Sequence, residues 1–169
     1  MRSVRQSYLV LLLATSVWCL GLIAAPLLRS AGETMVSGTL YALYSRICHQ
    51  LPERSFSMFG EHAGVCVRCF AIYYSFLLSL SLLPFLKRLD HLRIPTPKLF
   101  VAVLVPMVLD ALLNDTGVHL STTFTRVLTG LLLGVVLPWF VVPSFLEAIS
   151  QLRQRSNSFG DIPHARETQ

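Results

Sequence analysis

The sequence predicts an all-α polytopic membrane protein with four transmembrane helices and an external interfacial amphipathic helix. Three observations carry this prediction. The 169 residues are 53% hydrophobic and only 14% charged, with a mean hydropathy of +0.60, whereas soluble domains run near a quarter charged. Four apolar runs have about the length that a helix needs to cross ~30 Å of hydrocarbon. Lysine and arginine divide unevenly between the segments that join those runs. Together these exclude a disordered chain and a soluble globule. The four cysteines are too few for a disulfide-rich secreted scaffold.

The first span covers about 8–28. Arg2 and Arg5 precede it as they would a signal peptide. The run is longer than a signal core and lacks a small-x-small cleavage site, so it is expected to be retained. The second span covers about 66–86. The third, about 98–114, is short and carries Asp110. The fourth, about 126–147, is interrupted by Pro138 and Pro143. Those two prolines, with Pro26, Pro84 and Pro106, are expected to kink or end the helices. Residues 1–150 read as one transmembrane domain, and 151–169 as a polar cytoplasmic tail without fixed structure.

Orientation follows from the basic residues. Nine lie on one side: Arg2, Arg5, Lys87, Arg88, Arg93, Lys98, Arg153, Arg155 and Arg166. Five lie on the other: Arg29, Arg46, Arg54, Arg68 and Arg126, matched there by five acids. The formal net charge of +5 therefore falls entirely on the first side. That side is predicted to be cytoplasmic, with both termini, in a plasma or inner membrane. Topology accounts for the basic residues without a nucleic acid. The sequence holds no internal repeat and no glycine-rich phosphate loop. In the external segment 29–65, Leu40, Leu43, Tyr44, Ile47 and Leu51 recur at helical spacing. They predict an amphipathic helix lying in the outer interface or packed on the bundle.

An up-and-down arrangement gathers the unusual polar residues at the outer end. Cys48, His49 and Gln50 close the interfacial helix, and Cys66 and Cys69 stand at the mouth of span two. Asp110 and Asn114 lie near the outer end of span three, and Ser121, Thr122 and Arg126 lead into span four. Cys66-Val-Arg-Cys69 places two sulfurs at i and i+3 on one helix face. A helix N-terminus lowers thiol pKa toward the thiolate. With Cys48, three sulfurs and one ligand from His49, His62 or Asp110 would complete a tetrahedral zinc site. A disulfide or redox pair, or plain packing of small residues, is the competing reading. Cys19, in mid-span among apolar neighbours, is expected only to pack.

Asp110 within an apolar run needs a partner, a proton or water. Arg126 is the expected partner, so that the pair either bridges two helices or works chemically, with Asp110 as ligand, base or proton carrier. Arg54 and Arg68 could bind an anionic headgroup or simply snorkel. Ser121, Thr122, Thr123 and Thr125 are placed to cap span four. Gly130-Leu-Leu-Leu-Gly134 is a small-xxx-small motif for close helix association, within one chain or in a dimer.

The stretches CHQLPERSF at 48–56, CVRC at 66–69 with Ile72-Tyr73, Asp110 with Asn114, and STTFTRVLTG at 121–130 with Gly134 form a recognisable set. The chain resembles a family of bacterial and archaeal integral membrane proteins catalogued as a domain of unknown function. The likeness covers about residues 40–135. That family usually has glutamine where Asn114 stands and glycine where Ala71 stands. The resemblance implies that these polar residues serve one site, without assigning it an activity. A looser likeness is to quinone-coupled thiol oxidases, which also have four spans and an outer Cys-x-x-Cys. Those enzymes carry a second cysteine pair in the other external loop, where residues 114–126 here have none.

The leading expectation is thus a membrane protein with an outer-face zinc or other transition-metal site acting on a lipid or headgroup. The alternatives are a thiol–disulfide oxidoreductase using Cys66 and Cys69, and a non-catalytic assembly subunit.

Overall fold

The computed structural model describes residues 2–86, 94–117 and 121–160. Residues 87–93 of the basic loop and 161–169 of the tail, which entered the charge count, lie outside the described residues. The chain runs through helix α1 (Arg2–Ser30), helix α2 (Thr34–Tyr44), a 3-10 turn (Pro52–Arg54), strands β1 (Ser55–Met58) and β2 (Glu61–Cys66), then helices α3 (Val67–Leu86), α4 (Pro97–Asp115) and α5 (Thr123–Gly160). Among the described residues, α1, α3, α4 and α5 are long and apolar enough to cross a membrane. Pro26, Pro84, Pro106, Pro138 and Pro143 all lie inside helices, so none of them ends one. Helix α5 also runs ten residues into the segment expected to lack structure, ending at Gly160 rather than near 150.

Helices α3 and α5 form the most extensive pair, with α4 against α5 and α1 against α2, α3 and α5. Two packed layers hold the bundle. Toward the end where α1 begins, Tyr8, Leu80, Leu83 and Val142 are buried together. Toward the opposite end, Leu22, Tyr44, Cys48 and Val65 are buried against Trp18, Phe70 and Tyr73. No residue of α4 is fully buried; the helix packs on α5 along one side and leaves Val101, Val105, Val108, Leu109 and Leu112 exposed. Polar groups inside the spans bond to the backbone of neighbouring helices. Ser79 donates to the Val135 carbonyl at 2.8 Å, Tyr74 to that of Cys19 at 2.8 Å and Tyr8 to that of Leu80. Such groups have no water to turn to in hydrocarbon. Cys19 is buried, with its thiol 3.5 Å from the Tyr73 carbonyl, as expected of a packing residue.

Gly130 and Gly134 face α3 of the same chain. A Cβ at Gly130 would stand 2.6 Å from the Arg68 carbonyl oxygen and 3.0 Å from the Ala71 methyl. One at Gly134 would collide with the Ser75 hydroxyl and the Ile72 carbonyl. The small-residue stripe thus lets two backbones within this chain approach closely.

Helix α2 packs on α1 through Ser37, whose hydroxyl donates to the Ala25 carbonyl at 2.9 Å, and Tyr44, which donates to that of Trp18 at 2.9 Å. Leu40 and Tyr44 of the predicted apolar face pack inward, whereas Leu43, with Met35 and Val36, lies exposed. The helix stops at Tyr44, and Ile47, Cys48 and Leu51 lie beyond it. A β-hairpin that the sequence reading did not anticipate follows. Met58 pairs with Glu61 and Ser55 with Cys66, leaving Phe59-Gly60 as a two-residue turn. Both residues have positive φ, 56° and 80°, as a type I′ turn requires. With phenylalanine rather than asparagine or aspartate at its first position, this turn lacks the usual sequence signal.

Candidate metal centre

Three segments bring the cysteines together. Cys48 lies in the loop after α2, where its N–H donates to the Tyr44 carbonyl at 3.0 Å. Gln50, at φ 52°, turns the chain back. Its side-chain amide donates to the carbonyls of Tyr41, at 2.9 Å, and Gly64, at 2.7 Å, which locks the Cys48 loop to β2. Cys66 ends β2, and Cys69 sits in the first turn of α3. The Cys-x-x-Cys therefore spans a strand-to-helix junction rather than one helix face.

The three sulfurs lie within 4.8 Å of one another. Cys48 is buried and the other two are half-buried. The Cys66 N–H donates to the Cys48 sulfur at 3.1 Å. Hydrogen bonds from the thiols of Cys66 and Cys69, supported by the N–H of Cys66, hold the Cys48 thiol well below its usual range. Against them, burial alone would raise it. A buried cysteine sulfur with two further sulfurs within ligand reach is a group that could hold a metal ion.

The structure separates the predicted fourth ligands. His62 does not reach the sulfurs. Its carbonyl accepts the Tyr41 hydroxyl, and it lines another cavity, about 250 Å³, with Arg29, Glu61 and Gln50. His49 is exposed and lies on the wall of the cavity onto which the cysteines open. Asp110 is outside the sulfur cluster and engaged elsewhere. Among the described residues, no histidine or carboxylate joins the three-cysteine group.

That cavity measures about 450 Å³. Its walls are the 47–51 loop with Arg54, the start of α3 with Cys66, Arg68 and Cys69, the end of α4 with Ala111, Asn114 and Asp115, and Arg126 of α5. The expected Asp110–Arg126 ion pair is absent. Asp110 instead pairs with the Arg68 guanidinium, the two side chains being 10% and 18% exposed. Ser121 stands between Asp110 and Arg126. Its hydroxyl donates to Asp110 Oδ2 at 2.9 Å and accepts from Arg126 Nε at 3.1 Å. Arg126 Nη2 donates to Asn114 Oδ1 at 3.3 Å, the atom that also accepts the Ser121 N–H at 3.2 Å.

Arg68 begins α3, Arg126 lies in the first turn of α5 and Asp110 lies a little over one turn from the end of α4. These ends meet in an up-and-down bundle, so depth along the spans admits either arginine as the partner of Asp110 and does not choose between them. Arg54 pairs more openly with Asp115 at 3.7 Å, the latter 73% exposed. The predicted cap of α5 is present: Thr122 Oγ1 accepts the Thr125 N–H at 3.2 Å.

The family model described as "Predicted membrane protein (DUF2085)" matches residues 48–140, a stretch that contains the cysteines and the whole polar network. An uncharacterized protein of Methanocaldococcus jannaschii is 36% identical over 150 residues, covering 86% of this chain and 96% of that relative. An uncharacterized protein of Methanothermobacter thermautotrophicus is 32% identical over 92 residues, covering 53% of this chain and 78% of the relative. No solved structure matches the chain.

Proposed function

The chain belongs to the DUF2085 family of predicted membrane proteins, and we propose that it carries a transition-metal site, zinc by ligand chemistry, at the outer face of the membrane. Cys48, Cys66 and Cys69 are the ligands. The observation that carries this reading is the convergence of three sulfurs within 4.8 Å from separate segments. An N–H directed at the Cys48 sulfur is the kind of surrounding bond that orients a metal thiolate. Thiolate ligands suit zinc. The sulfurs open onto the cavity beside His49, so a metal held by them would be within reach of water or of an oxygen of a lipid headgroup, the substrate class that a membrane-embedded site of this size suits.

Metal per chain, measured by mass spectrometry on the purified protein beside free-thiol counts under denaturing conditions, tests this. One equivalent of metal is expected, with all four cysteines free once it is removed. Cys48→Ser, Cys66→Ser and Cys69→Ser should each abolish stoichiometric metal, because the thiolates act together. Cys19→Ser should leave it intact. A folded, metal-free protein with Cys66 and Cys69 oxidised to a disulfide would establish the thiol–disulfide reading instead.

The external placement of the site rests on the nine-to-five bias of basic residues. In a variant without native cysteines, an impermeant thiol reagent should label a cysteine introduced at Glu53 in intact cells but not one at Lys98. The opposite pattern would put the site in the cytoplasm.

A further inference from the structure

The polar network beside the cysteines has an uneven charge. Arg68 is answered by Asp110 and Arg54 by Asp115. Arg126 forms no ion pair among the described residues. Its contacts there are neutral oxygens, Ser121 Oγ at 3.1 Å and Asn114 Oδ1 at 3.3 Å. A guanidinium offers five donors in a planar fork, and these two bonds use only part of that capacity. The side chain is half-buried at the end of the bundle and forms part of the cavity wall. A cation in such a place is costly unless a counter-charge reaches it.

The backbone adds to the same sign. Arg126 lies in the first turn of α5 and Arg68 in the first turn of α3. Helix N-termini carry partial positive charge and disfavour cations while attracting anions. Arg68 also keeps its Nε buried with no hydrogen-bond partner, an uncommon state for a buried donor. Three guanidiniums thus line a cavity of about 450 Å³ containing more positive charge than its carboxylates answer.

We propose that this cavity binds an anion of the phosphate class, anchored by the fork of Arg126 with Arg68 and Arg54 on the walls. The fork matches two oxygens of a phosphate in a bidentate, charge-assisted contact. The bound group is a free phosphate or the phosphate of a lipid headgroup, since the cavity lies at the end of the spans where both can arrive. The site stands without the metal, although the two share a chamber.

The test is titration calorimetry on the full chain in maltoside micelles, which contain no phosphorus, with inorganic phosphate and with short-chain phosphatidic acid as probes. Binding at millimolar concentration or below is expected. Tighter binding of the lipid assigns the site to a headgroup, and equal binding assigns it to free phosphate. Arg126→Gln should weaken both probes at least about tenfold, the loss of a charge-assisted bidentate contact. Arg126→Lys, which keeps the charge and loses the fork, should fall between. Asn114→Asp keeps Arg126 and places a carboxylate beside it. It should weaken phosphate binding as much as Arg126→Gln does while leaving the fold at least as stable, so the test survives if the arginine variants do not fold. Metal per chain should not change in any of these variants. Failure of the native protein to bind either probe, or undiminished binding by Arg126→Gln or Asn114→Asp, would overturn the proposal and leave the metal reading standing.

Discussion

Replacing Asp110 by alanine should destabilise the folded protein by about 3–5 kcal/mol, the loss usual when one member of a buried ion pair is removed. The Asp110 and Arg68 side chains are 10% and 18% exposed, so water offers Arg68 little compensation. Arg68 already holds one unpaired donor at Nε, and the substitution would orphan the Nη2 that Asp110 now accepts. The Ser121 hydroxyl would lose its acceptor as well. Removing both charges together, with Arg68→Met and Asp110→Leu, should recover most of the loss, since a hydrophobic pair of similar volume often matches a buried bridge. The double-mutant cycle is measured by reversible unfolding in mixed micelles. A large coupling is expected for Arg68 with Asp110. A small one is expected for Asp110 with Arg126, where the Ser121 hydroxyl stands between the charges. Equal couplings would show that the network acts as one unit rather than as a pair with a neutral bridge.

Gly134→Leu should be as damaging for a different reason. A Cβ there meets the Ile72 carbonyl of α3, and backbone cannot rotate away as a side chain can. Helices α3 and α5, the most extensive helix pair, would have to separate, breaking the hydrogen bond from Ser79 to the adjacent Val135. Overpacking of this kind costs about 1–3 kcal/mol for small insertions, and a leucine exceeds that range. Gly134→Ala should fall within it. Gly38→Ala is the control. Gly38 lies on the exposed side of α2 with nothing within 4 Å of the added methyl, and alanine there should stabilise by up to about 1 kcal/mol through helix propensity. Loss of stability at Gly38 comparable to that at Gly134 would refute the close-approach explanation.

Both outcomes depend on contacts that differ in how openly the sequence announces them. The glycine stripe is periodic and was legible as a packing face. Which helix it packs on was not, because periodicity says which residues share a face and nothing about what lies opposite. The ion pair is similar. An aspartate in an apolar run announces its need for a partner, but five arginines share the same side of the bundle. The hairpin left almost no trace. Its turn is Phe-Gly, its strands are four and six residues, and β2 runs into α3 through the Cys-x-x-Cys itself, so the predicted helical span took in only its last residue, Cys66.

The sequence by itself determined the all-α class, the four spans and the cysteines that could serve as ligands. These follow from local quantities: the length of an apolar run against bilayer thickness, and the chemistry of side chains at short spacing. Tertiary structure alone decided that Cys48 reaches Cys66 and Cys69 while His62 does not, that Arg68 rather than Arg126 answers Asp110, and that Arg126 is left facing a cavity among neutral oxygens. Those outcomes turn on distances of a few ångströms between segments tens of residues apart. Such distances are set by the depth at which antiparallel helices meet and by the turn that Gln50 clamps, and no spacing along the chain encodes them.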